Sequence, residues 1–83
     1  MILPTIHLNG SSKESLLDQL ADAHLALIMA ENTLSNCAPN ARDYYPQGED
    51  AFEAARQEFG NLTERLHGVR MEVLERFLAI DQL

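Results

Sequence analysis

The 83 residues, 46% of them apolar, fit a single domain near the size at which a lone chain is only marginally stable. Six basic against thirteen acidic residues leave a formal charge of −7, which repels phosphate backbones and anionic lipid surfaces and so argues against direct nucleic-acid or membrane binding. The single cysteine, Cys37, excludes an intrachain disulfide; with no signal-peptide pattern and no apolar run near the roughly 20 residues that cross a membrane, a cytoplasmic protein is expected.

Residues 1–10 read as an extended arm. Ile2, Ile6 and Leu8 are separated by Thr5 and His7, Pro4 disfavours a regular central strand, and Asn9-Gly10 marks a turn. Ser11 with Glu14 three residues later has the spacing of a capping box, which starts a first helix predicted over 11–37. Within it Leu16, Leu20, Ala23, Leu27, Ala30, Leu34 and Cys37 recur at alternating steps of four and three, the mark of one apolar stripe. Asn36 suits a left-handed C-terminal residue, and Pro39 prevents continuation. Leu25 and Met29 fall nearly opposite the stripe, as surface accidents or as a second contact face. His24 and Glu31 project close to the stripe, where a buried carboxylate needs a partner. The simplest reading lets Glu31 edge out to solvent at the stripe's margin.

Residues 38–48 form the linking loop and hold both tyrosines and two of the three prolines. Helix–helix connections need only about 2–8 residues, so this loop is longer than closure requires. It is the candidate binding site. Arg42 offers a planar fork of donors for a phosphate or carboxylate. Tyr44 and Tyr45 offer flat faces for a base or a protein partner, while Asn40, Asp43 and Gln47 add hydrogen-bonding edges. The competing reading is a loop ordered by its own contacts, with Arg42 on Asp43 and the tyrosines folded over the helix ends. Glu49 and Asp50 weaken the attraction of the following helix end for anions, an effect Arg56 partly offsets.

The second helix is predicted over 49–82, with Glu49 and Asp50 in its first turn, where the helix dipole favours acids. Its stripe is Phe52, Ala55, Phe59, Leu62, Leu66, Val69, Val73, Phe77 and Ile80. Gly60 and Gly68 lie inside it at a cost of about 1 kcal/mol each relative to alanine, for which close backbone approach is the candidate reason. A second stripe, Met71, Leu74 and Leu78 with His67, makes the C-terminal half apolar on two sides, so more than one partner must cover it. The fold class is therefore all-α: one domain, an antiparallel two-helix hairpin with an extended arm. Ile2, Leu3, Ile6 and Leu8 are expected to cover part of Leu74, Phe77 and Leu78. Two helices cannot enclose a core, so a homo-oligomeric helical bundle is expected.

Little in the chain points to catalysis. Glu64 and His67 have the Glu-x-x-His spacing of carboxylate-bridged metal bundles, but Glu64 lies about 165° from the stripe's centre at helical pitch. No metal site and no cofactor are expected. Cys37 falls on the apolar stripe, which reads as packing rather than as a nucleophile. Glycine patterns that cradle phosphates are absent, and no enzyme is expected.

Pro4-Thr5-Ile6-His7-Leu8-Asn9-Gly10 near the start, Pro39-Asn40, and Arg42-Asp43-Tyr44-Tyr45-Pro46-Gln47-Gly48 in the loop, joined by hairpin helices, give the whole chain a resemblance. It resembles a group of small helical-hairpin proteins encoded by tailed phages and prophages. The resemblance implies a phage context, hence the host cytoplasm, and carries no mechanism with it. Phage proteins of this size often counter host defences, some as oligomeric sponges for nucleotide-derived immune signals, others by blocking a defence protein. Three roles are thus expected in order: a sponge capturing a nucleotide-like ligand, an acidic anti-CRISPR-like inhibitor of a host defence or regulatory protein, and a phage structural or assembly part.

Overall fold

Ser12, one residue later than expected, caps the first helix. Its hydroxyl accepts a hydrogen bond from the Ser15 N–H at 3.0 Å, and α1 runs Lys13–Ser35 in the computed structural model, which describes residues 1–83. Asn36 closes the helix in a right-handed conformation, not the left-handed one expected, donating its N–H to the Leu34 and Thr33 carbonyls. Two single 3-10 turns, Ala41–Asp43 and Tyr45–Gln47, carry the chain across. At Gly48 φ is 116°, a backbone that a Cβ would strain, so the chain reverses there into the second helix. That helix, α2, spans Ala51–Asp81. Glu49 and Asp50 precede it rather than filling its first turn; the acid there is Glu53, paired with Arg56 at 2.8 Å.

The helices pack antiparallel into a body of 63 × 20 × 17 Å without strands. Lys13 donates to the Leu83 carbonyl at 3.0 Å and ties the start of α1 to the end of α2. Neither helix is long and apolar enough to cross a membrane. Ile80, 4% exposed, is the only buried residue. The arm covers less than expected: Ile2 and Leu8 remain almost fully exposed, and Leu78 is half exposed. Leu3 and Ile6, at 37% and 39%, keep more of their surface covered. Ile2, Leu3 and Pro4 instead line a groove with Leu16, Leu20 and Ile80.

The seam between the helices is rolled by one position from the one expected. Leu20, Leu27 and Leu34 contribute as predicted, but His24 and Glu31 take the places of Ala23 and Ala30, which are exposed. On α2, Thr63 and Arg70 replace Leu62 and Val69, which are exposed too. The physical reason is an ion pair. Glu31 accepts from Arg70 Nε and lies 3.4 Å from His67 Nδ1, with the Glu31 and Arg70 side chains only 24% and 19% exposed. Glu31 therefore points across the seam, not out to solvent. Partial burial pushes its carboxyl pKa up, but the hydrogen bonds from Arg70 and His67 and their charges outweigh this and hold it below its ordinary value. Cys37, expected in the core, is exposed instead: it lies past the end of α1, where the chain turns and its N–H meets the Leu34 carbonyl.

Gly60 and Gly68 need no close approach within the hairpin: a Cβ at either position meets nothing within 4 Å. Gly60→Ala and Gly68→Ala should each raise helix stability by about 1 kcal/mol, read as a higher urea midpoint. A loss of stability would show that something outside the hairpin packs on these backbones.

Candidate functional site

The hairpin's loop end is organised by short-range bonds. The Cys37 N–H reaches the Leu34 carbonyl at 2.8 Å, and the Asn40 side chain accepts from the Arg42 N–H at 3.2 Å. This second bond starts the turn Ala41–Asp43, with Tyr44 N–H returning to the Ala41 carbonyl at 3.1 Å. Pro46 opens the next turn with its φ already set, and Gly48 N–H closes it on the Tyr45 carbonyl at 3.2 Å. These turns force consecutive side chains apart: Tyr44 folds back toward α2, while Tyr45 stands out, 74% exposed.

Of the six residues singled out from the sequence, Tyr44 alone lines a groove. Cys37, Pro39, Ala55, Glu58, Phe59, Asn61, Leu62 and Arg65 line it with Tyr44, around an open volume of about 500 Å³. Arg42, Asp43, Tyr45 and Gln47 are exposed beside it, and Asn40 spends its side-chain oxygen on the turn. The Arg42–Asp43 contact of the competing, self-ordered reading does not form, and the Arg42 guanidinium has no ion pair or hydrogen bond within the chain. The self-ordering reading thus describes Tyr44 and fails for Arg42 and Tyr45.

Arg65 and Asn61 were missed by the sequence reading. They flank Leu62, one helical position outside the predicted stripe, and line the groove with Tyr44. Glu64 is exposed, and its helix neighbour His67 turns to Glu31 instead of joining it. The groove therefore combines an apolar floor (Phe59, Leu62), an aromatic wall (Tyr44) and one cation (Arg65), with a second cation and an aromatic outside (Arg42, Tyr45). Such a set can hold a planar ring against Tyr44 and a phosphate or carboxylate against a guanidinium. Among known protein families, curated proteins and solved structures, the chain finds no match.

Proposed function

We propose that the chain is a phage-encoded counter-defence protein that works as a homo-oligomer, sequesters a nucleotide-derived immune signal and catalyses no reaction. The observation that carries this is the groove of Tyr44 and Arg65, with the unpaired Arg42 guanidinium on the same loop two residues before Tyr44. A free guanidinium next to an aromatic wall recognises a charged group and a ring together, which is what a nucleotide presents. Glu58 in the groove's lining repels a highly charged ligand, so a cyclic nucleotide or ADP-ribose type of molecule fits better than a bare polyphosphate.

The test is calorimetry with cyclic dinucleotides, cyclic trinucleotides and ADP-ribose derivatives. Arg42→Ala and Tyr45→Ala should weaken binding at least tenfold with little change in thermal midpoint, because both side chains are exposed. Tyr44→Ala should lose both binding and stability, since its ring packs on α2. The net charge of −7 favours a second reading, an acidic inhibitor of a basic host protein. That reading replaces the first if no nucleotide binds and a host protein co-purifies through the same loop residues.

A further inference from the structure

Cations are scarce in this chain, and most of them are engaged. Lys13 donates to the Leu83 carbonyl, Arg56 to Glu53, Arg70 to Glu31 and Arg76 to the Glu72 carbonyl. Arg65, like Arg42, has no ion pair within the chain, and it lines the groove with Tyr44. The spacing along α2 explains this. Side chains three and four positions apart are neighbours on a helix. For Arg65 these are Asn61, Leu62, Gly68 and Val69, none of them acidic. Glu58 is left alone in the same way, among Ala54, Ala55, Asn61 and Leu62.

Glu58, Asn61 and Arg65 line one groove together with the rings of Tyr44 and Phe59. From Glu58 to Arg65 is almost two full helical turns, so the two charges share one face of α2, about 10 Å apart along its axis. The open volume of about 500 Å³ is in the range of small-ligand sites. A ligand that satisfies this groove brings hydrogen-bond donors to Glu58, an anion to Arg65 and a flat ring between them. A nucleotide does so with its base edge and its phosphate, and Glu58 separates the bases. An ionised carboxylate only accepts, through two oxygens that match a pair of parallel donors. Guanine presents such a pair on one edge, N1–H beside the N2 amino group. Adenine and cytosine set a lone pair beside their amino groups, and uracil has one donor between two carbonyls.

We infer that the groove selects guanine nucleotides: Glu58 accepts from N1–H and the N2 amino group, Asn61 donates to O6, Tyr44 stacks on the base and Arg65 holds a phosphate. This rests on the nucleotide reading proposed above and adds which base is chosen and by which residue. It also gives the acid in the groove a role. A carboxylate beside a bound phosphate is unfavourable through like-charge repulsion, and the two donors of a guanine edge offset that cost. Glu58 is then the specificity-determining residue. Arg65 supplies affinity whatever the base, since phosphate contacts position a nucleotide while base-edge contacts select it.

Titrations of the purified chain with 5′-GMP, 5′-AMP and 5′-IMP, followed by the NMR shifts of the Tyr44 ring, test this selection. GMP should bind at least tenfold tighter than AMP, the usual discrimination of a bidentate base contact. IMP should fall between them, because it keeps N1–H and lacks the amino group. Glu58→Gln should bring the GMP-to-AMP ratio of affinities close to one. The ratio is the readout because the lost charge acts on both nucleotides alike. Arg65→Gln should weaken all three at least tenfold and leave the ratio as it was. Both side chains are exposed and unpaired, so neither change should alter the circular dichroism or the thermal midpoint. AMP bound as tightly as GMP, a ratio unmoved by Glu58→Gln, or no Tyr44 shift with any of the three at millimolar concentration would overturn the inference. The calorimetric panel keeps the two claims apart. A cyclic nucleotide or ADP-ribose bound without preference for guanine ends this inference and leaves the sponge reading standing. Selection of GMP with no binding anywhere on the panel does the reverse.

Discussion

Ile80→Ala should cost about 2–4 kcal/mol, the usual range for emptying a buried isoleucine site. Ile80 is the one side chain fully withdrawn from water, and it sits where α2, the start of α1 and the arm meet, beside Leu16, Leu20 and Pro4. Removing it takes away the contact that holds three segments at once. For a chain this small, each kcal/mol corresponds to about 4–8 °C in thermal midpoint, so a drop of about 8–30 °C is expected. Melts must be compared at one protein concentration, because self-association raises the apparent midpoint by mass action. Leu62→Ala is the contrast. Its side chain is partly exposed beside the loop, and its loss should cost under about 1 kcal/mol. Equal losses for the two would mean that burial within the hairpin does not set stability, and that contacts between copies do.

Two helices and the loop between them were legible because the apolar spacing is long and regular and Pro39 and Gly48 punctuate it. The helix bounds moved by two residues at most at the starts and ends that mattered, and each shift has a local cause. Ser12 rather than Ser11 reaches the Ser15 N–H, and Gly48 delays α2 until the chain has turned. The roll of the seam was not legible. Leu20, Leu27 and Leu34 belong to either of two stripes, one finishing with Ala23 and Ala30, the other with His24 and Glu31. Apolar counting selects the alanines. The choice is made instead by Arg70, 39 residues away, which no periodicity within α1 can reveal. In the candidate site, the exposure of Arg42 and Tyr45 departs from the self-contacts weighed for the loop, Arg42 on Asp43 and both tyrosines over the helix ends, because backbone turns rather than those side chains order it. The partnership of Tyr44 with Arg65 joins residues 21 positions apart, so it emerges only with the fold. The same roll leaves His24 Nδ1 buried in the seam without a hydrogen-bond partner, a cost that sits beside the ion pair's gain.

Arg70→Leu should destabilise the hairpin more than Glu31→Leu, and the double variant should melt at or above the parent. Without Arg70, the Glu31 carboxylate stays in the seam with only His67 near it, an uncompensated charge. Without Glu31, the long Arg70 side chain can turn its head to water while its stem still covers apolar surface. Replacing both fills the seam with leucine and removes the desolvation of two charges, which often matches or exceeds the pair itself. The pH dependence supplies an independent check. The lowered pKa of Glu31 means that its pairing contributes stability above the ordinary value of 4.5 and loses it as pH falls through the lowered one. Glu53, lowered chiefly by its hydrogen bond from Arg56, contributes in the same direction but is present in parent and double variant alike. The difference in their urea midpoints between neutral pH and the acid side of 4.5 therefore reports Glu31. The parent should lose more stability on acidification than the Glu31→Leu/Arg70→Leu chain. Parallel acid profiles, or single losses that simply add in the double variant, would show that the pair is not coupled and that another contact rolls the helices.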